Sequence, residues 1–196
     1  MKTLLLLSFA LPLGAQTSLY EIKPGATSRF ALEIYKTGLM SGKKHLFLFE
    51  RYAGALTYNS TAPETSKIDV NVEAASFVVK DDWVSASQAK SIRDEAEGKN
   101  GLDLAKHSTI RFVSSSIARA GEGFTVQGTL TIRGIEKPVT VNVTMKPGDA
   151  GTIRFEGKAE VKLKDYGIKP PTAALGAIGT RNEMAVAFTL IAMARR

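Results

Sequence analysis

The sequence predicts an all-β fold in which eight mainly antiparallel strands close into a barrel and one short helix packs beside it. Apolar and polar residues alternate with a period of two along most of the chain, as in strands with one solvent face and one buried face. Two of these stretches, GFTVQGTLTIR and TIRFEGKAEVKLK, are long and contain a mid-strand glycine. A sandwich would also bury one face of each strand, but long strands that can bend at glycine favour a barrel.

The strands follow in chain order from this alternation. The first is SRFALEIYK, and the second is KHLFLFERYAGALTYN, in which a change of parity before Tyr52 predicts a β-bulge. Its HLFLF part is either a lipid-contacting lip or a strand buried on both faces. The next are KIDVNVEA, STIRFVS and GFTVQGTLTIR, and residues 134–137, closed by Pro138, are predicted to form a hairpin loop leading to VTVNV. TIRFEGKAEVKLK and a strand around MAVAFTL complete the eight.

One segment, about residues 85–98, has the signals of a helix. Ser85 and Gln88 have the spacing of a capping box, and Gly98 marks the end. Trp83 precedes the helix and is predicted to anchor it to the barrel wall, although a tryptophan here could also gate the mouth of the barrel.

Residues 1–15 are predicted to be a secretory signal peptide. MKTLLLLSFALPLGAQ combines Lys2, an apolar run over residues 4–13 and the small residues Gly14 and Ala15. Cleavage near Ala15 would leave one domain, residues 16–196, and we expect it to be periplasmic or secreted. The chain has no cysteine, so packing and hydrogen bonding rather than disulfides must stabilise it.

The chain is basic, with a formal net charge of +7 and lysines spread along the strands. No nucleic-acid partner is expected, because the cations are not massed and an exported protein rarely meets nucleic acid. Two interpretations remain: a weak attraction to an anionic membrane surface, or ordinary solubilising charge. The sequence leaves the oligomeric state open, including a homodimer.

The buried face of the barrel has two interpretations. Gly54, Gly128 and Gly157 share the inward parity and leave volume for a guest, but Phe155 and Phe124 could fill that gap. An apolar wall would select a hydrocarbon chain, at about 0.8 kcal/mol for each buried methylene. The candidate ligand-binding residues are the large inward-facing apolar side chains: Phe30, Leu32, Ile34, Phe47, Phe49, Leu56, Ile68, Val70, Val72, Ile110, Phe112, Phe124, Val126, Leu130, Ile132, Phe155, Val161 and Phe188.

No catalytic or metal site is expected. Asp103, His107 and Ser108 could suggest a triad, but no serine lies in a nucleophile-elbow pattern, and His107 is better explained as the end of a short helix. His45 is predicted to lie on a loop, and two distant histidines without cysteine make a poor metal site. No cofactor is expected.

Five segments in order resemble the YceI-like family of exported, lipocalin-like polyisoprenoid-binding proteins. GTLTIRGIEKPVTVNV is the specific match, and the others are TSRFALEIYKTGLMSGKKH, YAGALTYN, STIRFVSSSI and EVKLKDYGI. The matches span residues 20–191, nearly the whole predicted domain. The resemblance implies an eight-stranded antiparallel lipocalin-like barrel with a helix beside it, holding a long isoprenoid or a quinone-like amphiphile. It therefore favours the hollow interior.

These observations predict an exported, non-catalytic protein that holds a long-chain isoprenoid or similar lipid for transport, storage or sequestration. Candidates to meet a polar head group are Arg51, Arg133, Arg181 and Lys44. The alternatives are a filled barrel that acts through its basic surface on anionic membrane, and a lipid-directed hydrolase that uses His107.

Overall fold

The computed structural model describes residues 17–195, so the predicted signal peptide lies outside the described residues. Within them, eleven strands form one antiparallel sheet and a single α-helix, α1 (Ala86–Glu97), lies against it. The strands are β1 (Thr17–Ile22), β2 (Arg29–Gly38), β3 (Lys44–Phe49), β4 (Tyr52–Asn59), β5 (Lys67–Glu73), β6 (Phe77–Val79), β7 (Thr109–Ala120), β8 (Gly123–Ile132), β9 (Ile135–Pro147), β10 (Thr152–Lys162) and β11 (Ile178–Ala194).

Eight of the strands close into the predicted barrel, in the order β1-β4-β5-β7-β8-β9-β10-β11. Closure occurs where β11 returns to β1, with Tyr20 opposite Ala194 and Ile22 opposite Ala192. The eight-stranded antiparallel barrel with one helix is therefore confirmed.

The sheet branches beside β11, a feature that the alternation did not predict. β11 has 17 residues, and only its last part pairs with β1. From Thr189 back to Ile178 its partner is β2, and β3 and β6 continue the sheet beyond β2. β1 and β6 were not predicted as strands, because both are short and carry little alternating pattern.

The predicted bulge before Tyr52 is wrong: the chain breaks there into two strands with different partners. β3 pairs with β2 and β6, whereas β4 pairs with β1 and β5. The buried Ser76 holds the break, since its hydroxyl accepts from Arg51 N at 3.1 Å and donates to Glu73 O at 2.7 Å. In HLFLF, Phe47 is buried on one face and the other face is half-buried.

The hairpin between β8 and β9 is tighter than predicted. Its turn consists of Arg133 and Gly134, with φ of 53° and 70°, the left-handed pair of a two-residue type I′ turn. Residues 135–137, predicted as loop, pair with β8. Pro138 also lies within β9, in the part that has no second neighbouring strand because pairing with β10 begins only at Asn142, and proline is tolerated at such an edge.

The helix α1 begins and ends as predicted. Ser85 and Gln88 form the capping box, and the N–H of Gly98 closes the last turn. No residue of α1 is fully buried; Arg93 fixes the helix by donating to the carbonyls of Ala75 and Phe77. Among residues 17–195, no helix is long and apolar enough to cross a membrane.

Candidate ligand-binding site

The barrel encloses a cavity of about 80 Å³ that is lined only by apolar side chains. Eleven predicted ligand-binding residues contribute to it, namely Phe30, Leu56, Ile68, Val70, Val72, Ile110, Phe112, Val126, Leu130, Phe155 and Phe188. The rest of the lining consists of Ile22, Val139, Val141, Val143, Ala159, Val186 and Leu190. At about 30 Å³ for each water in the liquid, this interior cavity is too small for a long chain without movement of its walls.

Aromatic rings occupy the space that two of the three inward glycines leave, whereas Gly54 faces Val70 and the carbonyl of Asp69. A Cβ atom at Gly157 would lie 2.3 Å from Phe188 Cζ, and one at Gly128 would lie 2.6 Å from the ring of Phe112. Each ring therefore occupies the place of a Cβ at a glycine of the neighbouring strand. The space at these two glycines is filled, as in the packed interpretation, but by Phe188 and Phe112 and not by Phe155 and Phe124. In each case the ring comes from the strand paired with the one that carries the glycine.

A second, larger cavity of about 440 Å³ opens at the end of the barrel next to α1, within the range of ~300–1,000 Å³ that is typical of small-molecule sites. We call it the α1 groove. The predicted residues Leu32, Ile34 and Phe47 line it. The other lining residues are Lys36, His45, Ile92, Glu95, Ala96, Asn100, Gly101, Leu102, Leu163, Ile168, Lys169, Pro170, Pro171, Thr172, Thr180 and Met184.

The interior cavity and the α1 groove follow one another along the same inward rows of side chains. On β2, Phe30 lines the interior cavity and Leu32 lines the groove; on β11, Val186 lines the interior cavity and Met184 lines the groove. Residues two apart on a strand are separated by about 6.6 Å. One layer of side chains therefore divides the two cavities.

Lys36 brings a positive charge to the groove. Its Nζ donates to Thr180 Oγ1 at 3.3 Å, and it makes no ion pair within the described residues. Burial lowers the pKa of Lys36, an effect that the charges of Glu95 and Asp81 oppose. A half-buried ammonium group with one weak hydroxyl partner retains donors for a polar group of a ligand.

His45 is the second polar residue that the groove exposes, and it lies on β3, not on the predicted loop. Its Nδ1 is 2.6 Å from Asp81 Oδ2, and Asp81 also accepts from Leu46 N at 2.7 Å. Because the carboxylate can only accept, Nδ1 carries the proton and Nε2 is the unprotonated nitrogen of this groove-lining residue. Trp83 stacks on the ring at 5.2 Å and donates to Lys44 O, so it anchors the chain before α1 to β3, in the branch of the sheet, and not to the barrel wall as predicted.

None of the four predicted head-group residues lines either cavity. Arg51 pairs with Glu73 at the surface, Arg133 donates to the carbonyls of Gly167 and Lys99, Lys44 pairs with Glu33, and Arg181 lies over the ring of Tyr35. Sequence reasoning missed Lys36, although its parity on β2 is that of the inward-facing Phe30, Leu32 and Ile34.

Four further predicted residues lie away from both cavities. Phe49, Ile132 and Val161 are buried in the apolar core. Phe124 is half-buried at a separate surface depression, where Arg119 lies over its ring at 5.6 Å. The expectation that all of the predicted ligand-binding residues line a cavity is therefore wrong for these four residues.

The suggested triad is not assembled. Within the described residues, no hydrogen bond joins the side chain of His107 to Asp103 or Ser108; its ring lies beside Gly134. The described residues also contain no cluster of three or more histidine, cysteine, aspartate or glutamate side chains that could hold a metal ion.

A closed antiparallel barrel with an apolar interior cavity and a groove at one end defines a lipocalin-like barrel protein. More particularly, the chain belongs to the YceI-like family, since the YceI-like domain matches residues 20–192. This confirms the resemblance that the motifs indicated.

Curated relatives and solved structures agree with this assignment. The chain is 35% identical over 130 residues to a UPF0312 protein of Pseudomonas fluorescens (strain SBW25) and spans 63% of that relative's length, which is also 63% of this chain. Burkholderia cenocepacia BcnA has the same fold, with a TM-score of 0.68 and 23% identity over 85% of this chain and 96% of its own. So does a polyisoprenoid binding domain from Saccharophagus degradans implicated in plant cell wall breakdown, with a TM-score of 0.60 and 12% identity over 89% of this chain and 98% of its own.

Proposed function

We propose that this protein binds a long-chain isoprenoid or a similar amphiphile, with the hydrocarbon tail in the barrel and the polar head in the α1 groove. The observation that carries the proposal is the inward row of β2. It passes from Phe30 in the interior cavity through Leu32 and Ile34 to Lys36 in the groove, and so from apolar to charged along one line. An amphiphile has the same order of apolar and polar parts.

The tail requires the layer between the two cavities to open. Met184 and Leu32 belong to this layer, and both are buried. Methionine is unbranched and readily changes rotamer, so this layer can yield at modest cost. A tail of about ten methylenes contributes about 8 kcal/mol of burial free energy, which exceeds the roughly 1–3 kcal/mol that small displacements in a packed core cost.

Lys36 and His45 suit a head group that carries oxygen atoms. The ammonium group of Lys36 donates to a carbonyl or phosphate oxygen, and Nε2 of His45 accepts from a hydroxyl or, when protonated, donates. The name of the Saccharophagus degradans neighbour, a polyisoprenoid binding domain, supports an isoprenoid over other lipids. We propose that the role is transport, storage or sequestration outside the cytoplasm, without catalysis.

Extraction of lipid from the natively expressed protein tests this proposal. Organic extraction and mass spectrometry are expected to find one isoprenoid lipid in stoichiometric amount. Leu32→Trp places a large ring in the dividing layer and is expected to abolish the bound lipid. Leu48→Trp, on the half-buried outer face of β3, is the matched control and should retain it. A parent protein that carries no lipid and binds no added isoprenoid alcohol, or a Leu32→Trp variant that is folded and fully loaded, would contradict the proposal.

A further inference from the structure

Two leucines are exposed to solvent at the end of the barrel where the α1 groove opens. Leu39, in the turn between β2 and β3, is 79% exposed, and Leu175, in the turn before β11, is fully exposed. Leu39 N donates to Ala177 O at 3.0 Å, so the two turns adjoin. We call residues 38–43 and 172–177 together the leucine rim.

The backbone keeps Leu175 at the tip of its turn. Ala174, Leu175 and Gly176 have φ of 51°, 53° and 93°, a left-handed region that residues other than glycine seldom adopt. Two hydrogen bonds between Ala173 and Ile178, of 2.8 and 3.2 Å, close the turn at its base. An unfavourable backbone that presents a leucine to water indicates a use at the surface, because Leu175 is fully exposed and gains no burial among residues 17–195.

The chain segments that form both turns carry cations and no carboxylates of their own, while nearby Glu33 pairs with Lys44 and Glu95 lines the α1 groove. Residues 34–44 contain Lys36, Lys43 and Lys44, and residues 166–182 contain Lys169 and Arg181, without any aspartate or glutamate in either range. Two exposed leucines with the exposed Lys43 in the same rim and the exposed Lys169 close to it in the chain are features that favour the interface of an anionic bilayer.

We propose that the leucine rim docks onto an anionic lipid bilayer, with Leu39 and Leu175 entering the interfacial layer and the exposed Lys43 and Lys169 meeting lipid phosphates. Thr172 belongs to the rim and also lines the α1 groove. Docking would therefore turn the mouth of the groove toward the membrane, so that a lipid could pass between bilayer and barrel without crossing water.

A second copy of the chain is a poorer occupant of this rim. A two-fold contact would place like-charged lysines opposite one another, which is unfavourable. Two short turns also fall far below the ~800 Å² that each partner buries in a standard interface. An anionic surface is complementary to the rim in both charge and apolar character.

Vesicle co-sedimentation tests the proposal. The parent protein is expected to bind vesicles of phosphatidylethanolamine and phosphatidylglycerol at low salt and to bind phosphatidylcholine vesicles more weakly. Leu39→Ser with Leu175→Ser should reduce the partition coefficient by about tenfold or more. The control, Leu19→Ser with Met193→Ser, removes leucine and methionine side chains that are 41% and 46% exposed at the opposite end and should change nothing. Lys43→Gln should reduce binding by about fivefold, since one basic residue near an anionic surface contributes about this much.

Insertion of the rim has a direct readout. Trp83, the one tryptophan of the chain, is replaced by phenylalanine and Leu175→Trp is added, so that quenching by lipids with brominated acyl chains reports the depth of residue 175. Quenching supports insertion, and its absence in vesicle-bound protein contradicts it. The proposal is also overturned if the parent does not bind vesicles that contain phosphatidylglycerol. It is likewise overturned if the variant with Leu39→Ser and Leu175→Ser binds these vesicles as the parent does and instead loses self-association in sedimentation. Lipid extracted from the leucine variant keeps the two proposals separate, because loss of vesicle binding with the bound lipid retained leaves the proposed function intact.

Discussion

Replacing Gly157 with alanine tests whether the interior of the barrel holds the tail of the ligand. A Cβ at this position would lie 2.3 Å from Phe188 Cζ and 2.8 and 2.9 Å from the neighbouring ring carbons. Favourable contact between carbon atoms begins near ~3.5 Å, so the ring must retreat by about 1 Å. β10 and β11 are paired along the whole of β10, and the backbone therefore resists the displacement. The ring is expected to turn into the interior cavity, which it already lines.

Gly157→Ala should change the free energy of unfolding through two opposing contributions and should change the affinity for the ligand through a third. Overpacking a core costs about 1–3 kcal/mol, and replacing glycine by alanine recovers about 0.4–1 kcal/mol through the unfolded chain. We therefore expect a net loss of about 1 kcal/mol in the free energy of unfolding. If the displaced ring takes the room of about two methylenes, binding weakens by about 1.6 kcal/mol, or about fifteenfold in Kd.

The assay pairs urea unfolding with titration of a fluorescent polyprenyl alcohol. Gly25→Ala is the matched control, because a Cβ there would meet only Ser28 Oγ at 3.6 Å, and it should bind as the parent does. Adding Phe188→Ala to the Gly157→Ala variant removes the displaced ring and should restore affinity while lowering stability further. The reasoning is refuted if Gly157→Ala loses the expected stability and yet binds the probe as tightly as the parent, since the tail would then lie elsewhere.

Three further substitutions test contacts that stabilise the barrel and α1 around the site. Tyr166 is buried with no hydrogen-bond partner for its hydroxyl in the described residues, and burial raises its pKa to about 12. Between pH ~10 and ~12 this tyrosine therefore ionises only in the unfolded chain. The free energy of unfolding of the parent should fall by up to about 2.7 kcal/mol as the pH rises through that window. Tyr166→Phe should lack this loss in urea unfolding at successive pH values, and equal pH dependence of the two proteins would count against the burial. Ser76→Ala leaves Arg51 N and Glu73 O without their hydroxyl partner and should cost about 1–3 kcal/mol in urea unfolding; a change under about 0.5 kcal/mol would show that water replaces the hydroxyl. Arg93→Gln should speed amide hydrogen exchange in α1 without altering the barrel strands, whereas uniform acceleration would mean that helix and barrel open together.

Alternation along the chain was sufficient to predict strands with one buried face, because burial of one face forces a period of two whatever the neighbouring strands are, and the long strands with glycines then favoured a barrel over a sandwich. It was insufficient to predict which strands are neighbours. The stretch before and after Tyr52 has continuous strand character, and only its partners show that it is two strands. Pro138 was taken for the end of a loop, although the two-residue turn at Arg133 and Gly134 leaves it inside β9, since proline is excluded only from strands with neighbours on both sides.

The candidate site was predictable in its chemical character but not in its extent. Parity correctly placed eleven apolar residues around the interior cavity. It could not show that the rings of Phe112 and Phe188 lie over glycines of adjacent strands, because that depends on register and rotamer. The alternation along β2 also held a signal that the prediction did not use. Lys36 continues the inward row of β2, and a lysine at an inward position near the end of a strand indicates where the apolar interior of the barrel ends.

The branch in the sheet explains why the α1 groove lies at this end of the barrel. Where β11 pairs with β1, that strand continues to β4 and the barrel is closed. Where β11 pairs with β2, the next strands are β3 and β6, and β2 does not pair with β4. The end of the barrel is therefore covered by α1 and residues 168–172 instead of by a continuous ladder. The same change of partner places Lys36 at the open end and Phe30 within the interior. The position of the α1 groove and the positive charge in it thus have one structural origin, the change of partner of β11. Mutations that alter the β2–β11 register should therefore affect both together.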